Sequence, residues 1–410
     1  MSVKEDGRAE VLVVGGGPAG FAAALAAGRA GADTLLIERS GRLGGMATLG
    51  LVSPLLGCVN SKFVDEILGR LGGREVDHTK LDLDYAQMLA EAGVRTLLHT
   101  CAVEPIMSGQ TVGGCVAYTK SGHINIESAA TIDATGDGDV AYLAGVPFEQ
   151  GRPGDGLMQP ASIMFRVGGV GPSRLLCGSE GEAASMQLPQ GTWEQIVEQG
   201  IRDGELPDNV GVIRTYATRR PSEVTVNATQ VNRINGVSSG DLTKAEIEGR
   251  RQAFAVLAFL KRHAPGYKDA FICEMPASIG IRETRRFTGM DYLTRSDVIE
   301  GRKRPDAVVR DALFVIDIHN PDGPGQAENF AVECKPYDIP YGCLLPREID
   351  GLLFAGRCIS GSHDAHASYR VQTICLAIGA AAGVAAAIAG KQGILPRQVK
   401  PNDIWATGLI

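Results

Sequence analysis

The stretch from Val11 to Glu38, VLVVGGGPAGFAAALAAGRAGADTLLIE, constrains this chain more than any other. Val11 to Val14 is a short apolar run that reads as a buried strand. Gly15, Gly17 and Gly20 follow with G-x-G-x-x-G spacing, with Pro18 and Ala19 between them. Ala22 to Ala30 is small and helix-prone, and Thr34 to Ile37 is a second buried strand that ends at Glu38. Each part has a mechanical reason. Gly15 permits a tight turn, Gly17 lets backbone approach a pyrophosphate, and Gly20 lets a helix pack closely on the strand. The helix N-terminus offers unpaired N–H groups and the positive end of its dipole to the phosphates. Glu38 can accept the 2′-OH of an adenosine ribose. Strand, turn, helix, strand and acid in that order predict an adenine dinucleotide site, and leave FAD and NAD both open.

Composition sets the outer bounds. At 410 residues, a prior of ~150 residues per domain suggests two or three domains. Hydrophobic content of 44% with 53 Gly and 5% aromatic residues suits an α/β chain with many tight turns. A net charge of −7 argues against a nucleic-acid surface, which needs a basic patch. The polar start, MSVKEDGRAE, predicts no cleaved leader. The apolar run Ile374 to Ala389 is mostly Ala and Gly and falls short of the ~20 residues of a membrane span, so it predicts a helix packed tightly on a sheet. The nine cysteines include no C-x-x-C pair and no His/Cys cluster at metal spacing. That predicts reduced thiols, no bound metal and a cytoplasmic protein.

Along the chain, Glu38 leads into Arg39 and a second glycine loop at Gly44, Gly45 and Met46. Leu49 to Cys58 reads as a buried loop or short strand. Ser61 to Leu71 and Leu83 to Ala92 read as helices, the second closed by Gly93, before a strand at Val94 to Leu98. Val112 to Ile132 alternates as an antiparallel meander that runs into TIDATGDGD. Gln150 to Gln159 is rich in Gly and Pro and marks a boundary, and Pro172 to Gly204 reads as polar and irregular. Glu223 to Val231 alternates as a strand. A helix capped by Asp241 or Thr243 runs to about His263, with Phe254, Leu257 and Ala258 as its apolar stripe. Phe271 to Arg286 and Ala312 to His319 read as flanking strands. Leu352 to Ala355 returns the chain to the first kind of structure.

These motifs together resemble FAD-dependent oxidoreductases of the glutathione-reductase type. The segments that carry the resemblance include GGGPAGFAAA, ERSGRLGG, IDATGDGD, IGIRETRRFTG, DIPYGCLLP and AGRCISGSHDAHASYRVQTICLAIG, and they span residues 10 to about 395. The resemblance implies an α/β fold in which a Rossmann-like FAD-binding domain, a parallel sheet plus an antiparallel meander, is discontinuous over 1–165 and 335–410. Residues 166–334 form an inserted α+β substrate cap. It implies FAD as the cofactor, held by Gly15, Gly17, Pro18, Ala19, Gly20, Glu38, Arg39, Gly44, Gly45, Met46, Asp137, Gly356 and Arg357. Asp137 is expected at a ribityl or phosphate-linked contact, or else as a turn-former. Arg357 and the last helix are expected against the flavin, where a helix N-terminus favours its anionic reduced form.

A flavin carries out the electron transfer, so the protein must hold a small-molecule substrate near N5 and manage one proton. Arg282, Arg285 and Arg286 crowd three guanidinium groups into five residues; strand alternation would place Arg282 and Arg286 on one face, as an anion clamp or as partners of Glu283. His319 ends the apolar run VIDIH, where a near-neutral pKa would suit a general acid or base. His363 and His366 lie in the loop expected at the flavin ring. More distantly, the last segment is similar to fumarate reductase and succinate dehydrogenase flavoproteins, in which an arginine at the place of Arg370 holds a substrate carboxylate; the glycine-rich run after that arginine is absent here. A buried inert thiol is the default expectation for all nine cysteines, with Cys58, Cys343 or Cys358 as the ones that could face the flavin. A second dinucleotide motif is missing from the middle of the chain, so oxygen, a quinone, another protein or a transiently bound nicotinamide must complete the cycle. The predicted activity is hydride transfer between a polar organic substrate and flavin N5. Reduction of an activated C=C bond in a carboxylate and a non-catalytic flavin-binding sensor or subunit are the alternatives. A homo-oligomer is compatible with all three.

Overall fold

A computed structural model describes residues 7–325 and 331–410 of the chain. The first six residues of the polar start lie outside the described residues. The chain opens with β1 (Arg8–Val14), α1 (Pro18–Arg29) and β2 (Thr34–Ile37). Next come α2 (Lys62–Arg70), α3 (His78–Glu91) and β3 (Arg95–Leu97). Ser61 caps α2 through its side chain, and Asp77 caps α3, whose first residue His78 lies five residues before the predicted start. The meander is β4 (Cys101–Ser108), β5 (Thr111–Thr119) and β6 (Gly122–Asp133), followed by α4 (Asp139–Leu143) and β7 (Phe148–Gln150).

The second section has a core of its own. It comprises β8 (Met164–Gly168), α5 (Glu180–Ser185), the short pair β9 (Gln187–Leu188) and β10 (Gly191–Thr192), and α6 (Trp193–Arg202). Next come β11 (Arg214–Ala217), β12 (Glu223–Asn227), α7 (Ser239–His263) and β13 (Phe271–Glu274). Strands β11, β12, β8 and β13 form an antiparallel sheet in that order. Its buried residues, among them Ile163, Phe165, Trp193, Val224 and Phe259, form a hydrophobic cluster running from Ala161 to Ile279. The chain closes with β14 (Arg285–Phe287), α8 (Arg295–Glu300), β15 (Ala307–Ala312), β16 (Tyr337–Pro340) and β17 (Leu352–Phe354). Helices α9 (His363–Tyr369), α10 (Gln372–Gln392) and α11 (Pro401–Ala406) follow. Phe287, Val308 and Tyr337 join the first hydrophobic cluster rather than the second.

The large sheet pivots on β6. Strands β3, β2, β1 and β6 are parallel, β17 joins the far end of β6 in parallel, and β5 and β4 run antiparallel from its near end. Register brings Val14 beside Ile37 and Asp133, and Asp133 beside Phe354. Four strands therefore end in one row, and every motif that follows a strand end emerges on the same side. Backbone bonds lock the row: Gly15 N donates to Ile37 O (2.8 Å), Ala134 N to Val14 O (2.9 Å) and Ala355 N to Asp133 O (2.9 Å).

Several elements differ from the sequence reading. Pro172 to Gly204 is not irregular. α6 forms there, capped by Thr192 and Gln195 in a reciprocal box, and buries Trp193, Ile196 and Val197 while its polar residues face out. Phe271 to Arg286 is not one strand. Pro276 offers no N–H to a ladder, β13 stops at Glu274, Gly280 makes a single bridge to Ser162, and the next strand begins only at Arg285. Arg282 therefore lies outside any strand, and the predicted sharing of a face with Arg286 does not hold. The strand near Ala312 to His319 lies earlier, at β15; beyond it Leu313 bridges singly to Cys58, and within VIDIH Ile316 bridges to Val332. The apolar stripe of α7 is rotated by one position, burying Ala253, Val256, Phe259 and Leu260 and leaving Phe254 60% exposed.

The small-residue helix α10 is long and apolar enough to cross a membrane by length and composition, yet it is mostly buried within the fold. Its main partner is α1. A Cβ built on Gly379 would fall 2.0 Å from Ala19 O, and one on Gly383 would fall 2.1 Å from Ala23 O. The two backbones touch because these positions carry no side chain.

Candidate active site

The strand ends open onto a cavity of about 240 Å³. One wall is the first glycine loop. Gly15 has a φ of +101°, and a Cβ on Gly20 would fall 1.8 Å from Gly15 O, so the turn and the close seating of α1 both depend on glycine. Gly17 differs. The nearest atom to a Cβ there would be Gly45 Cα at 3.9 Å, so nothing in the protein fills that space. Gly17 is the N-cap of α1, Pro18 is its first residue, and no side chain caps this end or places an acid in its first turn. An uncapped helix end facing an open space fits a pyrophosphate.

Glu38 is buried at the end of β2 and accepts hydrogen bonds from Gly16 N (2.6 Å) and Ser40 N (2.7 Å). It thus closes the glycine loop while it lines the cavity beside Arg39, and its remaining lone pairs are available to ribose hydroxyls. Gly45 and Met46 line the same wall. Gly20 and Gly44 do not line it. Gly20 is taken up by packing, and Gly44 donates its N–H to Gly16 O (2.8 Å).

The second wall is the loop after β6. Asp133 is fully buried there and accepts from Thr135 N (3.1 Å), Thr135 Oγ1 (2.8 Å) and Ala141 N (2.8 Å). Burial pushes its carboxyl up to about 6. The sequence reading passed over this residue, although an aspartate ending a buried strand is a signal for a loop-holding group. Asp137 accepts from Thr284 Oγ1 (2.9 Å) and Arg357 Nη2 (2.8 Å) through the same oxygen, Oδ1. Arg357 also donates to Ile281 O. Asp137, Gly356 and Arg357 all line the cavity, so a turn-holding pair lies at the predicted cofactor wall. Gln372 and Cys375, at the start of α10, complete this side. Leu242, Glu246, Ser278, Ile279 and Ile281 of the second section close it from above. The sequence reading missed all of these, because they come together only through tertiary packing.

The predicted catalytic residues divide. Arg370 lines the cavity and donates Nη2 to Asp317 O and Oδ2, both at 3.0 Å. Beside it, His319 Nε2 lies 3.5 Å from Asp317 Oδ2, and His319 N donates to Gln159 Oε1 (3.2 Å). Arg282 donates to Pro160 O (2.7 Å) in the same cluster. His319 is not near-neutral: burial, and then the neighbouring Arg282, push its imidazole down to about 4. Burial and then Arg370 push Arg282 down to about 9. Asp317 was also missed; it precedes His319 by two residues in an extended segment, the spacing that puts two side chains on one side.

His366 does not reach the cavity. It is fully buried, packs edge-on to Tyr369 with ring centroids 5.4 Å apart, and neither ring nitrogen has a hydrogen-bond partner. His363 is held by Glu283, with Nδ1 2.8 Å from Oε1. Glu283 also accepts from Arg286 and from Gln159 N (3.1 Å), so Arg286 belongs to a structural network. Arg285 pairs with Asp139 (3.0 Å) under the ring of Tyr142. The thiols lining the cavity are Cys101 and Cys375. Cys58 is exposed, and burial raises the pKa of Cys343 and Cys358.

The fold is similar to several solved structures. A geranylgeranyl bacteriochlorophyll reductase-like protein from Thermoplasma acidophilum aligns with a TM-score of 0.49 and 14% identity, covering 94% of this chain and 79% of that one. p-Nitrophenol 4-monooxygenase from Pseudomonas putida aligns at 0.47 and 12%, covering 94% and 80%. A flavin-dependent brominase aligns at 0.44 and 12%, covering 94% and 80%. No curated protein matches the chain. The family described as FAD dependent oxidoreductase matches residues 10–407, nearly the whole length, and the cavity walls fit its cofactor. The chain therefore belongs to the FAD dependent oxidoreductase family, an enzyme family whose cofactor is FAD.

Proposed function

We propose that this enzyme moves a hydride between a small or medium polar organic substrate and N5 of the flavin, with residues 166–334 acting as a cap over 1–165 and 335–410. One observation carries the reading. The ends of β1, β2, β6 and β17 lie in one row, and the cavity they open onto also receives Arg370 and the residues Ile279 and Ile281 of the second section. In open α/β sheets ligands bind outside the carboxyl ends of the strands. When bound, FAD supplies two-electron chemistry at N5.

The chain's own residues divide the remaining work. Gly17, Pro18 and Ala19 present the open end of α1 to the pyrophosphate, and Glu38 takes the ribose. The Asp137–Arg357 pair holds the loop after β6 to the start of the last helical segment. Arg370 and Gln372 face the substrate side. His319, neutral at pH 7, offers a ring nitrogen for one proton, and Asp317 orients it. The apolar side chains Leu242, Ile279 and Ile281 exclude water from the reacting centre. The residues leave the electron partner open among oxygen, quinone, protein and nicotinamide.

The test is anaerobic bleaching of the FAD-loaded protein across amines, amino acids, 2-hydroxy acids and enoates, the last offered to chemically reduced protein. One class is expected to change the flavin spectrum within seconds to minutes. A loaded protein that responds to none of them, while its oligomeric state follows flavin redox state, would instead support a sensor.

A further inference from the structure

We propose that the side-chain oxygen of Gln372 accepts a hydrogen bond from N3–H of the flavin ring, and so fixes which edge of the ring meets the start of α10. This rests on FAD as the cofactor and adds a side-chain contact to it, whichever substrate passes its hydride to N5. Among the described residues that line the cavity, two keep a buried side-chain polar atom without a partner, Arg370 Nε and Gln372 Oε1. Arg370 Nε can only donate, so Gln372 Oε1 is the spare acceptor. Gln372 is 9% exposed. Its amide is oriented from behind: Nε2 donates to Val52 O at 2.9 Å, and a flip would set Oε1 against that carbonyl. An acceptor buried without a donor is costly, and folded proteins keep few of them. Neither the protein nor solvent supplies the donor, so it comes from the group that fills the cavity.

Strand order decides which part of FAD lies there. β2, with Glu38 at its end, flanks β1 on one side, and β6 followed by β17 flanks it on the other. The glycine loop after β1 takes the pyrophosphate, so the adenosine half extends over β2 toward Glu38 and the ring half over β6 and β17. A Cβ built on Gly356, just past β17, would fall 3.9 Å from Cys375 Sγ, so the start of α10 lies against that strand end. Gln372 is the first residue of α10, where no side chain caps the helix and no acid lies in the first turn. This end therefore offers N–H donors beside one acceptor. The pyrimidine edge of a flavin is the complement, two carbonyls flanking N3–H, the one N–H of the oxidised ring. A ribityl hydroxyl is the other donor on that half of FAD, and methylation at N3 separates the two.

The probes are FAD and 3-methyl-FAD, titrated into flavin-free wild type and Gln372→Ala with flavin fluorescence as the readout. The wild type is expected to prefer FAD by about tenfold or more. Gln372→Ala, which removes the acceptor and makes room for the methyl group, should prefer it by less than about threefold. In protein loaded with FAD carrying nitrogen-15 at N3, the N3 resonance should move upfield in Gln372→Ala, a change that a merely structural glutamine would not produce. Should Gln372→Ala not accumulate, Gln372→Met keeps the length of the side chain without its acceptor, and the N3 resonance decides. Equal binding of the two flavins by the wild type, a preference unchanged in Gln372→Ala, or an N3 resonance that stays in place overturns the proposal. Substrate bleaching of such a protein would leave the hydride reading standing, whereas a wild type that takes up neither flavin overturns both.

Discussion

Three glycines spaced as one motif do three different things, and this separates them experimentally. Gly20→Ala forces a Cβ to within 1.8 Å of a backbone oxygen, so α1 must lift from β1. A loss of about 3 kcal/mol in urea unfolding of the FAD-free protein is expected, at the upper end of overpacking costs. Gly17→Ala meets open space and should leave that stability within ~0.5 kcal/mol, yet weaken FAD at least tenfold by filling the approach to the helix end. Equal effects of the two changes on stability would refute the distinction. Glu38 also carries more than the motif suggests. Its carboxylate holds two N–H groups, Gly16 and Ser40, so Glu38→Ala should cost ~1–3 kcal/mol in addition to lost FAD affinity. A loss of affinity without any loss of stability in denaturant melts would reduce its role to the ribose alone. Glu38 was readable because motif and spacing are local. Asp317 and Gln159 were not, because their partners Arg370 and His319 lie 53 and 160 residues away along the chain.

At the scale of elements, α1 and α10 are held together by the absence of side chains. The sequence reading took the Ala/Gly-rich run as a helix packed on a sheet, and α10 does touch β1 and β6, but its closest approach is to α1. Gly383→Ala would place a methyl 2.1 Å from Ala23 O, so about 3 kcal/mol of stability should be lost, with a fall in thermal midpoint of several degrees. The same change at Gly393, where φ is +63° but space is open, tests conformation instead of contact, and there a smaller loss of about 1 kcal/mol is expected. A smaller loss at Gly383 than at Gly393 would contradict close helix contact. Helices with strong local signals were legible. Ser61 and Gly93 mark helix ends by signals that depend on nearest neighbours, whereas Asp77, the cap of α3, is passed over by a reading that starts the helix at Leu83. α6 was not, since ten residues with a polar outer face look like loop until a second core claims Trp193. The break after Glu274 was overlooked even though Pro276 marks it.

For the whole molecule, buried titratable groups set the response to acid. His78 and His319 are both pushed down to about 4, chiefly by burial, and His366 lies well below its usual value for the same reason. Unfolded histidine has a pKa of about 6.5, so between pH 6.5 and 4 the unfolded chain binds protons that the folded chain refuses. This stability is therefore present above pH 6.5 and is lost as the pH falls toward 4. Asp133, raised to about 6, acts in the opposite sense: its contribution is present below its unfolded pKa and fades as the pH rises through 6. Three histidines outweigh one aspartate, so unfolding at pH 5 should take up protons, and stability should be roughly 1–3 kcal/mol lower than at pH 7. Denaturant melts at the two pH values, with proton uptake measured by buffer dependence, would contradict this if stability were equal or higher at pH 5. The amino-acid sequence alone determined the dinucleotide loop, the family and a few helix ends, such as both ends of α2 and the C-terminus of α3, because turn geometry, capping and close helix seating are written within a few residues of where they act. Tertiary structure alone decided that Arg370 is the one of the seven candidate Arg and His side chains that lines the cavity, that His366 is packed away, and which carbonyl or carboxylate Arg282, His363 and Arg370 meet. Those facts arise from the in-register ends of four strands and from a second core seated above them, and long-range register has no local signature.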